Sequence, residues 1–562
     1  MQLESLFKVL AFYVVLGTLV PILGSYMAKV FEGKSTGLSF LKPVERMLLK
    51  FIGITNPRPM DWKKYGMQVL AFNLLGFIFL WLILLLQRWL PLNPTNLDSV
   101  PFWTAFNIAA SFVTNTNWQS YVPETTLTVF SQMVGLTVQN FLSAATGICV
   151  FVALVRGLRS KGSSDVGHFW IDLNRSLVYI LLPLSFVWAV VLASQGVIQN
   201  FSLPVSIRGL SSIEQQIPAG PVASQIAIKQ LGTNGGGYFA ANSAHPFENP
   251  TPLSNFFQVI AILLIPAALC YTFGKMVGSL KQGYSLLAAM TVMFTVSLAI
   301  SLYFESSGNA ALSGVAFLEG KEARFGVVES TIWTSATTAA SNGSTNASLA
   351  SSSPLAAMMA LFNMVVGEVI FGGVGSGIYG MLMFVILAVF LSGLMVGRTP
   401  EYLGKKIEET EVKLAAIAVL VPCALTLGGA ALALTLDSGL SSLSTRGPQG
   451  LTEVLYAFAS ASNNNGSAFA GLNANTPFYN IALGVCILVG RYIVIFAALA
   501  IAGSLSEKRF VPPSLGTMPT DNSLFVFLLI GVIFIIGALT YLPVLSLGPL
   551  AQHFLMINGM TF

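Results

Sequence analysis

Ten long apolar runs decide what this chain can become. They cover residues 5–28, 65–88, 125–155, 169–194, 252–274, 284–304, 355–396, 413–436, 478–504 and 523–547. Each reaches the ~20 residues that cross a bilayer as a helix. Hydrocarbon offers no partner to a loose peptide group, so such runs must be helical. Composition agrees: 54% of residues are hydrophobic and 9% charged, against about 25% charged in soluble domains. The expected fold is an all-α polytopic membrane protein with ten transmembrane helices. The first run is read as a retained span rather than a signal peptide, because it is long and is followed by basic residues. Cys149, Cys270, Cys423 and Cys486 all fall inside apolar runs, form no CxxC pair and imply no disulfide framework.

The net charge of +5 does not point to nucleic acid, because the basic residues sit in loops between the runs. Loops 29–64, 156–168, 275–283, 397–412 and 505–522 alternate onto one side. With Arg175 and Lys413 at their rims they hold 20 of the 28 Lys and Arg. The positive-inside rule puts these loops in the cytoplasm and both termini outside it.

All four outward connections carry one unit: a short helix-like stretch, then a loop of Asn, Thr, Ser and Gly. The stretches are Phe102–Val113, 221–231, Val328–Ala336 and Leu451–Ser460, all too short to span. The loop cores are Asn115-Thr116-Asn117, Thr233-Asn234-Gly235, Ser341-Asn342-Gly343 and Asn464-Asn465-Gly466. They recur roughly every 110–120 residues, an internal repeat of span, re-entrant loop and span. Any one of these loops alone is an ordinary turn signal. Four in register, on one side, predict a single pore with a fourfold pseudo-symmetric filter. Irregular backbone survives at membrane depth only where it lines a watery cavity. Glycine lets carbonyls turn to a common point, which suits a dehydrated alkali cation. The expected organisation is a first helix and cytoplasmic loop (1–64), pore repeats at 65–167, 168–282, 283–412 and 413–510, and a last helix (511–562). One extra helix thus flanks the repeats at each end.

Two ionisable residues stand deep in apolar runs, Glu368 and Arg491. Such groups pair or line a water path. A Glu368–Arg491 pair below the filter is expected, either as a static clamp between helices or as a positive barrier against leak. The seventh run is too long for one helix, and its centre holds Gly367, Gly372, Gly373, Gly375, Gly377 and Gly380. This reads as two half-helices around a mobile gating loop, or as close helix packing on small residues. Gly375-x-Gly377-x-x-Gly380 matches a dinucleotide fingerprint without the strand and helix context it needs. Asp172 and Arg175 read as an ordinary i,i+3 pair. His168, His245 and His553 show no metal-ligand spacing. No Walker loop and no Asp-Lys-Thr-Gly-Thr is present, so the chain carries no recognisable means of hydrolysing ATP.

The runs Phe112-Val113-Thr114-Asn115-Thr116-Asn117-Trp118-Gln119-Ser120-Tyr121, Gly232-Thr233-Asn234-Gly235-Gly236-Gly237, His245-Pro246-Phe247-Glu248-Asn249-Pro250, Gly397-Arg398-Thr399-Pro400-Glu401-Tyr402-Leu403-Gly404-Lys405-Lys406 and Asn463-Asn464-Asn465-Gly466-Ser467-Ala468-Phe469-Ala470-Gly471 closely resemble the potassium-binding A subunit of the bacterial Kdp potassium-transporting ATPase. The resemblance covers essentially the whole chain. It implies a K+ filter facing the periplasm in the bacterial inner membrane. It also implies a P-type ATPase B subunit that hydrolyses ATP, a C subunit, a small F peptide, and an ion path leading sideways toward the B subunit. The family's filter maps onto the four loop cores, its gating loop onto Gly372–Gly380, and its intramembrane acid and base onto Glu368 and Arg491. Family members can carry Cys where this chain has Asn342. K+ is the expected ligand, with no cofactor in this chain. The alternatives are a stand-alone K+ channel, an ion-gradient-driven K+ transporter of the same superfamily, and a secondary transporter for an organic solute. The last would show inverted repeats, whereas these repeats keep one orientation.

Overall fold

The computed structural model describes residues 3–55, 57–202, 205–208, 214–217, 219–312, 314–315, 317–512 and 517–560. The extreme chain ends, whose side was read from the charge rule, lie outside the described residues. Among the described residues ten helical segments are long and apolar enough to cross a membrane. The chain is therefore a multi-pass membrane protein. Several spans begin where the sequence supplies a capping oxygen. Asp61 accepts from the Lys64 N–H ahead of Trp62–Leu86. Thr251, Thr476 and Asn522 do the same for Pro252–Met276, Pro477–Glu507 and Ser523–Leu545, two of which also start on proline.

The third span begins later than expected. Pro123–Thr126 is a separate turn, and the span starts with a π-turn at Ser131–Thr137 before Val138–Arg159. Gln87 at the end of the second span accounts for the delay. Its amide donates to the Thr126 carbonyl and its oxygen accepts from Thr128 N and Ser131 Oγ, holding this stretch as a loop. Outside the spans, among the described residues, there are two short antiparallel hairpins, Val205–Arg208 with Glu214–Ile217 and Glu401–Tyr402 with Lys405–Lys406.

The two spans of a repeat take different places. The second spans of repeats one and two, Ser131–Arg159 and Pro252–Met276, are 78% and 83% buried over their most apolar stretch. The first spans of those repeats, Trp62–Trp89 and Phe169–Ser194, are 28% and 39% buried. Second spans thus form an inner ring and first spans face lipid, with the first and last helices of the chain outside both. Close approach inside the ring relies on glycine. A Cβ on Gly157 would stand 2.3 Å from the Ala502 carbonyl of the fourth repeat's second span.

Asp172 and Arg175 do not pair with each other. Asp172 is fully buried and takes both nitrogens of the Arg156 fork, at 2.6 and 2.8 Å, with the Tyr65 hydroxyl at 3.1 Å. Arg175 instead meets Glu45 at 3.3 Å. A carboxylate at that depth needs several donors, and the planar guanidinium fork across the helix interface supplies more than a neighbour one turn away can.

Candidate functional site

Four short helices enter the membrane between the paired spans and stop inside it. They are Phe102–Val113, Val222–Leu231, Gly326–Ala339 and Pro448–Ser462. The third and fourth run a few residues beyond their sequence-expected limits. Each ends as its Asn-, Thr-, Ser- or Gly-rich loop begins. The first core residue of every loop is left-handed: φ is 71° at Asn115, 51° at Thr233, 52° at Ser341 and 63° at Asn464. Such backbone is uncommon away from glycine and strained for β-branched Thr233, so the surrounding structure must impose it. Asn117, Gly235 and Gly466 return to positive φ at the third position, and Gly343 does not. Three quarters therefore alternate in handedness, which turns successive carbonyls toward one side.

The loops close on one another in chain order. Asn115 Nδ2 donates to the Gly232 and Thr233 carbonyls at 3.0 and 3.1 Å, and Asn234 Nδ2 returns to Asn115 Oδ1 at 2.5 Å. A Cβ on Gly235 would stand 2.1 Å from Gly343 N, and one on Gly343 would stand 2.8 Å from Gly466 C. Ser341 Oγ donates to the Asn464 carbonyl at 2.9 Å. Asn464 Nδ2 donates to Thr116 Oγ1 at 3.0 Å, and a Cβ on Gly466 would stand 2.0 Å from the Thr116 carbonyl. The second core residues brace the ring from behind. Asn342 Nδ2 reaches the Lys229 carbonyl at 3.3 Å, and Asn465 Nδ2 reaches the Thr337 carbonyl at 3.1 Å. Thr116, Asn117 and the other ten core residues thus belong to one structure. The Thr233 and Asn464 carbonyls already accept cross-braces, so an ion must compete with amide and hydroxyl donors there.

Beneath the ring, on the side of the short helices' C-termini, lies a cavity of about 60 Å3, room for a few waters. Two helix C-termini, those of Pro354–Val365 and Pro448–Ser462, end on it and set partial negative charge against the Arg491 guanidinium. Glu368, Arg491, Asn463 and Asn464 line it. The expected Glu368–Arg491 ion pair is not formed. Neither Glu368 oxygen has a hydrogen-bond partner, nor do Arg491 Nε and one terminal nitrogen. The reason is backbone placement. Glu368 sits at φ 49° in the break between two half-helices, while Arg491 projects from the middle of the intact Pro477–Glu507. Both face the same cavity from different walls.

The seventh run is broken, as its glycines suggest, into Pro354–Val365 and Ser376–Val396. The connecting loop is docked under the ring. Val374 N donates to Thr233 Oγ1 at 3.0 Å, and Gly372 N donates to the Ala339 carbonyl at 2.8 Å. An added Cβ would stand 2.4 Å from Ser376 Oγ at Gly373, 2.0 Å from the Gly147 carbonyl at Gly375 and 1.8 Å from the Phe371 carbonyl at Gly377. Gly375 and Gly377 are there for backbone contact and Gly373 for contact with side chains, and nothing about them resembles a phosphate cradle.

A family model described as the potassium-transporting ATPase A subunit, KdpA, matches residues 10–554. The chain belongs to this family. Its KdpA relatives include the "potassium-transporting ATPase potassium-binding subunit" of Sorangium cellulosum, 55% identical over 96% of this chain and 97% of that one. The proteins of the same name from Herpetosiphon aurantiacus and Pseudomonas aeruginosa are 52% and 51% identical, each over 98% of this chain and 99% of its own length. The KdpA fold is also similar to the crystal structure of the potassium transporter TrkH from Vibrio parahaemolyticus. The TM-score is 0.52 over 88% of this chain and 98% of that one, at 16% identity, a likeness of fold alone.

Sequence reasoning missed the polar groups behind the ring. Ser143 donates to Asn115 Oδ1 at 2.8 Å from the third span. Lys229, a cation of an outward connection, is wholly buried against Glu248. One signal was available: a lysine near the end of a short helix whose three counterparts carry Ser or Thr.

Proposed function

We propose that this chain is the potassium-binding and translocating subunit of an ATP-driven, high-affinity K+ import complex. It selects dehydrated K+ from the extracytoplasmic side at the ring and passes the ion to a partner. The observation that carries this reading is the closed ring: four loops, each left-handed at the same position, braced against one another in chain order. Family membership supports the division of labour. Relatives spanning the whole chain are named as potassium-binding subunits of a potassium-transporting ATPase, and no ATP-hydrolysing signature occurs in this sequence. The partners are a P-type ATPase B subunit, a C subunit and a small F peptide, in the inner membrane of a bacterium with both termini outside the cytoplasm. Glu368 and Arg491 hold charge and water in the cavity, with Arg491 as the barrier to a direct leak. The Gly372–Gly377 loop is the gate between ring and cavity.

Gly235→Asp tests the ring. It puts a side chain where a Cβ would already stand 2.1 Å from Gly343 N, at φ 91°, and adds a carboxylate among neutral oxygens. Growth at micromolar K+ should fail, and the K+ concentration for half-maximal uptake should rise at least about tenfold. Unchanged uptake at micromolar K+ would sink the assignment. Purifying the chain from its native membrane tests the partners: an ATPase that is stimulated by K+ should come with it.

A further inference from the structure

We propose that Lys229 and Glu248 are positioning residues for the second quarter of the ring, setting the Gly235 carbonyl through Asn242. This rests on the reading of the ring as the K+ site. In each quarter the second loop residue donates its N–H to the carbonyl five positions earlier. Thr116 reaches Ser111 at 2.9 Å, Asn234 reaches Lys229 at 2.9 Å, Asn342 reaches Thr337 at 3.1 Å and Asn465 reaches Ser460 at 2.8 Å. Ser111, Lys229, Thr337 and Ser460 therefore occupy equivalent places. Three carry short hydroxyls that hold their own loops directly. Ser111 accepts from Trp118 N, Ser460 accepts from Gly466 N at 2.9 Å, and Thr337 donates to the Asn342 carbonyl.

Lys229 works differently. Its Nζ meets Glu248 Oε2 at 2.7 Å, Asn242 Oδ1 at 2.5 Å and Ser243 Oγ at 3.0 Å. Three acceptors match the three protons of an ammonium. Glu248 Oε1 accepts from Tyr238 N at 2.6 Å and Phe239 N at 2.9 Å, just past the loop. Both charged side chains have 0% exposure. Charges this deep persist only when paired and fully hydrogen-bonded, and here they are.

The ammonium and the Ser243 N–H, which donates to Asn242 Oδ1 at 2.8 Å, together decide how Asn242 is turned. Lysine can only donate, so the amide oxygen must face it and the amide nitrogen must face away. Asn242 Nδ2 accordingly donates to the Gly235 carbonyl at 2.8 Å. Gly235 holds the third core position, where Asn117, Gly343 and Gly466 stand in the other quarters. One carbonyl of the ring is thus fixed by a donor whose orientation is set in part by a buried charge, and no equivalent charge occupies that place in the other three. The effect belongs to ion affinity and ion discrimination, not to turnover.

The test uses the assembled transport complex and measures ATP hydrolysis as K+ or Rb+ is varied. Asn242→Asp keeps an oxygen for Lys229 and tolerates φ 51°, but it has no donor for Gly235. The expected result is a KM for K+ raised about tenfold and a changed Rb+ to K+ ratio of KM values, with maximal rate within about twofold. Lys229→Met combined with Glu248→Gln strands no charge and should shift KM and the ion ratio in the same direction but less far, because Ser243 N still holds Asn242 Oδ1. Gly343→Ala is the control in the third quarter, outside this network. If Gly343→Ala alters K+ KM while both network variants keep parental KM and ion ratio, the positioning role is overturned and the ring stands. If all three leave both readouts unchanged, the ring itself is wrong. If both network variants lose assembly or lower only the maximal rate, the network is a folding element and the proposal falls.

Discussion

At the scale of single residues, the ring depends on positions where no side chain fits. Gly466→Ala would drive a methyl to 2.0 Å from the Thr116 carbonyl at φ 99°. The ring would spread while its pore helices stayed in place. The expected outcome is a K+ KM raised at least about tenfold with near-normal assembly, read from uptake and from co-purification of partners. Asp172→Ala acts elsewhere. It strands the partly buried Arg156 fork and should cost about 3 kcal/mol, seen as a lower Tm of the purified chain with the KM for K+ of the complex unchanged. The core residues were legible because Asn, Thr, Ser and Gly are conspicuous against oil. The Glu368–Arg491 pair was misread because sequence gives the depth of two charges but not the distance between them. Lys229 was overlooked because a loop-flanking lysine usually faces water, and only the fold shows that Glu248 returns to meet it.

At the scale of elements, the short helices were readable because each is apolar yet too short to span, and the first was placed to the residue, Phe102–Val113. The break in the seventh span was readable from its glycines, whereas its docking on Thr233 was not. That contact joins residues far apart in the chain through one backbone N–H, which leaves no mark in the sequence. Gly375→Ala should lift this loop, since its Cβ would stand 2.0 Å from the Gly147 carbonyl at φ 85°. As the gate reading has it, the variant complex in proteoliposomes should pass K+ down a gradient without ATP, where the parent holds the gradient. A tight variant that hydrolyses ATP normally would remove the loop from the gating role.

At the scale of the whole molecule, hydropathy and the four repeats anticipated ten spans and their pairing around one axis. The inner and outer rings were not anticipated, because hydropathy cannot separate a span buried in protein from one bathed in lipid. Orientation is open to a direct measurement. The four native cysteines are buried, so labelling background should be low. Ser202→Cys, in an exposed outer loop, should react with a membrane-impermeant maleimide in intact spheroplasts, and Ser35→Cys only after lysis. The reverse pattern would invert the topology.

Because all four quarters come from one polypeptide, a change in one of them need not be copied into the rest. A pore made of identical subunits would receive any lysine at this place in quadruplicate, and four buried ammonium groups would crowd a single conduction axis. Carrying all four quarters on one chain removes that constraint, so each wall can be tuned independently. The lone Lys229 is a substitution open to a fused pore and closed to a homotetramer.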